Sequence, residues 1–403
     1  MLKHSRVIVV GAGFGGLQAA HSLADSGAEI LLIDRNNYHT FVPLLYQVAT
    51  GQIEPELIAY PARTILRRSP KVRFLMAEVE RIDFSAQLVQ TDCATVTYDF
   101  LVLASGSRTQ YMGVQGALES AFAMRTLAEA VALRNHLFSC FERADRETDP
   151  VLRQQLLTFV IVGGGATGVE VAGALVEMLR GCWRRDYPML VGQVKLILGQ
   201  SGDRLLADLP KKLGTYAYKR LHQLGVEVYL QAKVSQVTPE AVHFQNELVI
   251  STMTVIWTVG LEANSPTTSE ELSKSRKGKL LVRPTLQLLE YSNIYAIGDL
   301  ADVEQSQVLS GVAPEALQQG VAVARNIKRQ LQGRVPKPFS YFNKGRLAII
   351  GCYSGVGKIG KFTFTGILAW FMWLAVHVVY LPGYRNRLLV LLTWLYTHIL
   401  HQT

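Results

Sequence analysis

RVIVVGAGFGG, residues Arg6–Gly16, is the stretch that decides the fold. Arg6–Val10 is a short β-branched run and reads as a buried parallel strand. The spacing Gly11-x-Gly13-x-x-Gly16 follows, and then Leu17–Leu23, rich in Ala and Leu as a helix is. Ala28–Asp34 (AEILLID) is a second buried strand, ending in an acid eighteen residues after Gly16. Strand, glycine loop, helix, strand, acid is the order of a dinucleotide-binding unit. The first glycine permits a tight turn, and the second admits backbone N–H groups to a pyrophosphate. The third lets the helix close on the strand, and the acid accepts from a ribose hydroxyl. Tyr98–Gly106 (YDFLVLASG) is a later strand that ends in small residues.

Outward along the chain the same order recurs. Thr158–Val162 is a strand, GGGATG follows with Gly163, Gly165 and Gly168 at the fingerprint positions, and a helix runs to about Arg180. Gln193–Leu198 is the next strand, and Thr254–Gly260 (TVIWTVG) again ends in glycine. Gly11 and Gly106 lie 95 positions apart, Gly163 and Gly260 97. That match is the mark of a duplicated nucleotide-binding unit. The second copy departs in two ways. Gly181–Gly192 reads as an insertion, and Gln200 stands where an acid is expected. Two fingerprints in one chain imply two dinucleotides, the arrangement for passing a hydride from one cofactor to another. Tyr291–Asp299 (YSNIYAIGD) is one more strand, and Asp299 is placed to accept from a ribityl or ribose hydroxyl. Pro314–Leu331 is helical.

At 403 residues the chain is long enough for two or three domains. A hydrophobic fraction of 49% excludes intrinsic disorder, and 33 glycines without a period exclude collagen. Cys93, Cys140, Cys182 and Cys352 lie far apart with no C-x-x-C, which excludes a disulfide scaffold, a zinc ribbon and a dithiol motif. Reduced, intracellular chemistry is the expectation. The run Val7–Val10 is shorter than the roughly 7–15 apolar residues of a signal peptide, so Met1–Ser5 is not expected to begin a targeting segment. No metal or haem ligation is expected of His377, which has no second ligand at helical spacing, or of His398.

The net charge of +9 is uneven. No acid follows Glu315, so residues 316–403 carry +11 and residues 1–315 carry −2. A neutral body with a basic end implies an anionic partner. Gly366–Leu381 and Leu388–Leu400 are apolar but each shorter than the roughly 20 residues that span a bilayer. Trp370, Trp373, Trp394, Tyr380, Tyr384 and Tyr396 are spaced as interfacial aromatics are, with Arg385 and Arg387 between the two runs. The tail therefore reads as lying on an anionic lipid surface rather than binding nucleic acid. A buried helical hairpin or a homodimer interface is the other reading of the same pattern.

GAGFGG, FVPLLYQVATG (Phe41–Gly51), LVLASGS (Leu101–Ser107), VGGGATGVEVAG (Val162–Gly173), WTVG, IYAIGD (Ile294–Asp299) and YLPGYRNR (Tyr380–Arg387), in that order, resemble the type II NADH dehydrogenases over essentially the whole chain. The resemblance implies an α/β fold of two Rossmann-like domains of the glutathione-reductase-like flavoprotein type. It adds a C-terminal membrane-surface helical region, making the enzyme peripheral (monotopic) on the cytoplasmic face. The expected domains are 1–115 with 285–334 for FAD, 116–284 for NAD(P)H, and 335–403 for the membrane. The implied activity is NAD(P)H:quinone oxidoreduction without proton pumping. FAD would sit on Gly11, Gly13, Gly16, Asp34, Gly106 and Asp299. The nicotinamide nucleotide would sit on Gly163, Gly165, Gly168, Gln200 and Gly260. Glu170 and Lys344 match family residues expected together near the flavin.

The family's quinone-site helix corresponds to Ala313–Gly320, which keeps Gln318 and Gln319 but has Pro314 or Glu315 where the first glutamine belongs. The quinone type (plastoquinone, menaquinone, phylloquinone-type or ubiquinone) therefore stays open. Gln200 in place of an acid, with Arg204 four residues on, points to NADPH ahead of NADH. Two alternatives stand beside this reading: a sulfide:quinone reductase, for which Cys182 and Cys352 would have to serve, and a non-catalytic redox-sensing flavoprotein.

Overall fold

Two five-stranded sheets, each parallel throughout, hold the two repeats. The computed structural model describes residues 5–304, 309 and 311–397. The expectations placed on Met1–His4 and His398 lie outside them. The chain divides into two compact units: Met1–Thr40, Tyr60–Arg108 and Leu261–Asn343 form the first, and Phe41–Ala59, Thr109–Gly260 and Lys344–Thr403 the second.

In the first unit the strand order is Ile294–Ala296, Phe100–Leu103, Arg6–Val10, Glu29–Asp34, Val72–Met76. In the second it is Ala121–Ala123, Thr254–Trp257, Thr158–Val162, Lys195–Gly199, Glu227–Tyr229. In each, the strand that leads into the glycine loop is central. Covered on both faces, it has no need of polar alternation: Val7, Ile8, Val9, Val160 and Ile161 are wholly buried. The first unit's helices Phe14–Leu23 and Ala313–Leu331 pack closely, with Gly320 leaving room for the Gly15 carbonyl.

The units differ from the expected domains in several places. Residues 261–284 fold with the first unit: Leu280–Val282 pairs with Ala301–Val303, and the Glu270 carboxylate accepts from the Phe84 and Ser85 N–H groups. Residues 41–59 fold with the second, where the short helix Leu45–Ala49 packs on the helices Leu127–Arg146 and Ala166–Arg180. The segment after Gly333 is not a detachable tail. Arg346–Ile349, Gly355–Ile359 and Phe362–Thr365 form an antiparallel sheet that lies against the helix Ala166–Arg180. Gly173 of that helix has backbone so near Gly351 that a Cβ would stand 2.3 Å from the Gly351 nitrogen. Two helices follow, Ile367–Tyr380 and Tyr384–Leu395, separated at Pro382-Gly383. Among the described residues no helix is long and apolar enough to cross a membrane.

Candidate active site

The two glycine loops are built alike, each within its own unit. Gly11 and Gly163 have φ of +103° and +116°, open to glycine at little cost. Their N–H groups donate to the Ile33 and Gly199 carbonyls at 2.8 Å. At the third glycine the loop folds back so tightly that a Cβ on Gly16 would lie 1.8 Å from the Gly11 oxygen, and one on Gly168 1.8 Å from the Gly163 oxygen. Gly13 and Gly165 are different. A Cβ at either would meet nothing within 4 Å, and neither residue caps its helix with a side chain. Each loop thus ends in open space at the first turn of its helix, the positive end of the dipole. That space fits the pyrophosphate of a dinucleotide.

The acid at the end of the second strand is locked to its loop. Asp34 Oδ2 accepts the Ala12 N–H at 2.6 Å, and its Oδ1 accepts the Asn36 N–H at 2.7 Å. The Ala12 carbonyl in turn takes the buried His39 Nδ1–H at 2.9 Å; burial lowers the pKa of that imidazole and keeps it neutral. In the second unit Gln200 makes the equivalent bond, its Oε1 accepting the Gly164 N–H at 2.8 Å. Because that oxygen faces a donor, Gln200 is left with its amide N–H groups to offer, where an acid would offer oxygen. Arg204 has one guanidinium N–H on the Ala207 carbonyl at 2.6 Å.

Asp299 stands in a single 3₁₀ turn, Gly298–Leu300, and accepts from the Ser107 hydroxyl at 2.8 Å. Gly106 precedes that serine, with φ +71°, and its carbonyl takes the Asn264 N–H. Gln319 is buried, and its Oε1 accepts the Gly298 N–H at 2.6 Å, pinning the turn that presents Asp299. Gln318 is clamped to the Phe342 backbone by two 2.9 Å bonds, one given and one accepted. The amide oxygens of both glutamines thus serve backbone N–H groups. Gly260, φ +73°, closes on the Gln110 backbone within the second unit.

Glu170, in the helix Ala166–Arg180, accepts from the Trp373 indole N–H at 3.2 Å. Desolvation pushes its pKa up to about 8, against lowering by the Ile349 backbone and Trp373. At neutral pH it therefore carries a proton. Trp373 is stacked on His377, ring centroids 3.7 Å apart, with Tyr46 edge-on at 6.2 Å. His377 Nδ1 lies 2.7 Å from the Trp373 carbonyl, to which it must donate. Burial drops that histidine to about 4, so it is neutral with Nε2 left as an acceptor. Tyr46 is buried, and its hydroxyl accepts from the Gln47 amide at 3.1 Å, while Gln47 Oε1 takes the Trp394 indole N–H at 2.8 Å.

Lys344 is not brought to Glu170. It is exposed, and its Nζ donates to the Tyr380 hydroxyl at 2.8 Å, on the helix that supplies Trp373. Sequence reasoning missed Trp373, His377, Tyr46, Gln47 and His39 as site residues. The aromatics of the tail were visible but read as a lipid-facing set, whereas Trp370, Trp373 and Trp394 are buried. Among the described residues no three His, Cys, Asp or Glu side chains cluster as metal ligands would.

Residues 5–320 match the pyridine nucleotide-disulphide oxidoreductase family. The chain is 36% identical to the type II NADH:quinone oxidoreductase Ndh of Mycobacterium tuberculosis, over 98% of this chain and 89% of that protein. It is 38% identical to NdhA of the same organism, over 96% and 86%. Among solved structures, NDH2 from Plasmodium falciparum in complex with NADH superposes with a TM-score of 0.91 at 18% identity, covering 100% of this chain and 99% of that one. The sulfide:quinone oxidoreductase of Aquifex aeolicus superposes at 0.76, also at 18% identity, covering 95% and 92%. At that identity the two structures speak for the fold alone. By its matched length and by its identity to the mycobacterial proteins, the chain belongs to the pyridine nucleotide-disulphide oxidoreductase family and, within it, to the type II NADH:quinone oxidoreductases.

Proposed function

We propose that this protein oxidises NAD(P)H on FAD and hands the electron pair to a membrane quinone. The observation that carries the proposal is the pair of matched glycine cradles in a chain of this family. Gly11, Gly13, Gly16 and Asp34 would hold the FAD pyrophosphate and ribose, with Asp299 on the ribityl chain. Gly163, Gly165, Gly168 and Gln200 would hold the nicotinamide nucleotide. Bound there, FAD supplies the two-electron chemistry that joins a hydride donor to a quinone. The protein's part is orientation and charge. Both loops would aim N–H groups at phosphate, Gln319 and Ser107 steady Asp299, and Glu170 would store a proton on a carboxyl that Trp373 orients. Purified protein is expected to be yellow, to release FAD on denaturation, and to turn over NADH with a soluble quinone. Colourless protein that cannot be reconstituted with FAD would sink the proposal.

The sulfide:quinone alternative needs thiolates. Burial, with the Glu177 charge beside it, pushes the Cys352 thiol up to about 12, so it stays protonated at neutral pH.

Gln200 bears on the nucleotide. An acid at this position repels a 2′-phosphate, and a neutral amide that donates does not. Gln200→Glu retains an oxygen for the Gly164 N–H but replaces the donor by a second oxygen. The kcat/KM ratio is expected to shift toward NADH by about tenfold, equivalent to about 1.4 kcal/mol. An unchanged ratio would mean that Gln200 does not face the ribose.

The C-terminal helices supply the membrane contact. Ile367, Leu368, Phe371 and Val379 are exposed on the first, and Leu388, Leu391, Leu392 and Leu395 on the second. An acid-free basic segment adds about 1 kcal/mol per Lys or Arg at an anionic surface, screened by salt. Attachment on the cytoplasmic face is therefore expected to survive high salt and to need detergent for release. Phe371→Glu with Leu392→Glu should move the folded, FAD-containing protein to the soluble fraction. Retention of the double variant on vesicles at high salt would overturn this assignment.

A further inference from the structure

The helix Ala166–Arg180 carries a second enclosed carboxyl, Glu177, that the reading above leaves unused. It lies two turns beyond Glu170 on the same face, about 10 Å along the axis. Its Oε2 accepts from the Gln52 amide at 2.6 Å, and its Oε1 is buried with no hydrogen-bond partner. Arg220, on the helix Lys211–Gln223, faces it, and the Nε of Arg220 is likewise buried and unpartnered. The Arg220 Nη2 is spent on the Cys352 carbonyl at 3.4 Å. A structural ion pair would have closed these two groups on each other. Here the carboxyl and the guanidinium stay apart, and the carboxyl is held by Gln52 and the Cys352 backbone instead.

A polar strip leads from Glu177 toward Glu170. The Gln52 backbone N–H donates to the Gln47 backbone carbonyl at 2.8 Å, and the Gln47 side-chain amide donates to the Tyr46 hydroxyl at 3.1 Å, so these groups line a polar path for water and do not themselves pass the proton. That hydroxyl lies within electrostatic reach of both carboxyls, whose charges raise its pKa. Elsewhere the helix is apolar in its burial: Val169, Val171, Ala172, Leu175, Val176 and Met178. Arg180, at the end of the helix, is exposed to water.

We infer that Glu177 is the proton reservoir for Glu170, filled from water at the Arg180–Arg220 end and emptied along the Tyr46–Gln52 strip after each turnover. The inference rests on the quinone-reductase reading. The reaction NAD(P)H + H⁺ + quinone → NAD(P)⁺ + quinol draws one proton from water. The nicotinamide is oxidised by loss of a hydride, and the quinone is reduced by two electrons. Glu170 breaks its O–H bond to protonate a quinone oxygen, and the proton of Glu177 then replaces the one lost. Two helical turns exceed a single hydrogen bond, so the passage is completed by water bridging the strip.

The direction of both shifts agrees. Burial raises Glu177 to about 7, against lowering by Gln52, Arg220, the Cys352 backbone and Arg180, while Glu170 stands at about 8. Tyr46, Cys352 and Tyr353 each feel the Glu177 charge as a rise in their own pKa. Both carboxyls are raised toward neutrality by burial, so Glu177 can exchange protons with neutral water.

The test is rapid mixing of the full-length FAD-loaded protein, wild type against Glu177→Gln, with NADH in one half-reaction and menadione in the other. Flavin reduction by NADH takes up no proton and is expected to be unchanged. Reoxidation by menadione at pH 7 should fall about tenfold. Added imidazole, a diffusible proton donor, should restore it, as should Glu177→Asp. Gln52→Leu keeps the carboxyl but cuts the strip; the same slowing and rescue are expected there, which covers a Glu177→Gln protein that does not fold. Wild-type reoxidation rates and pH profile in either folded variant overturn the inference. A wild-type protein that never reduces menadione overturns the quinone-reductase reading instead.

Discussion

Glu170→Gln is expected to lower quinone-dependent turnover by about a hundredfold while leaving FAD content intact. A positioned acid contributes roughly 10²–10⁴ in rate, and an amide keeps the oxygen that Trp373 holds but has no proton to give. The pH profile is the sharper readout. Wild-type quinone reduction should be level through neutrality and decline above about pH 8, as Glu170 loses its proton. In the variant that decline should vanish. The same shift bears on stability. The carboxyl keeps its proton in the folded protein up to about 8 but releases it near 4.5 when unfolded. Between those values the folded state binds more protons than the unfolded state, so stability falls as pH rises through that window. Glu170→Gln removes this loss. Its melting temperature should match wild type below pH 4.5 and exceed it at pH 8 and above. Unaltered kinetics with both substrates would return Glu170 to a structural role.

Gly165→Ala should cost the enzyme its nucleotide without costing it its fold. The backbone there is extended, φ −75° and ψ −175°, which alanine adopts freely, and its methyl would meet no protein atom within 4 Å. That empty space is where the pyrophosphate must approach the helical N–H groups. A methyl group pushes the phosphates outward and weakens charge-assisted bonds worth about 1.5–3 kcal/mol each. The KM for NADH should rise by about tenfold to a hundredfold, with FAD content and melting temperature unchanged. Gly168→Ala is the contrast. Its Cβ would lie 1.8 Å from the Gly163 oxygen, so it should disturb the loop itself and lower stability as well. A Gly165→Ala protein with wild-type KM would show that the second cradle does not hold the nucleotide.

The sequence by itself determined the two cradles. Gly11, Gly13, Gly16 and Asp34, and their counterparts Gly163, Gly165, Gly168 and Gln200, act through loops of a few residues. A β-branched run, glycines at fixed offsets and a polar side chain on the next strand are local features, so their meaning is local too. The duplication was legible for the same reason, as a spacing of 95 against 97. Tertiary structure alone decided the surroundings of Glu170. Trp373 donates to it from 203 positions away, across a sheet of three strands that the reading of the tail as membrane-bound helices did not foresee. Glycine, threonine and lysine in those strands gave only weak periodicity, and the buried part, Ala348, Ile349, Gly355, Val356 and Gly357, is covered by helices distant in sequence, Ala166–Arg180 and Ile367–Tyr380 among them. The pairing of Lys344 with Tyr380 rather than Glu170, and the use of Gln319 on the Gly298 N–H, were equally beyond the sequence. A side chain's partner depends on which distant backbone arrives beside it. That arrival also sets proton affinity: Glu170 is an ordinary glutamate in sequence, and only the apolar walls brought around it by folding keep its proton on at neutral pH.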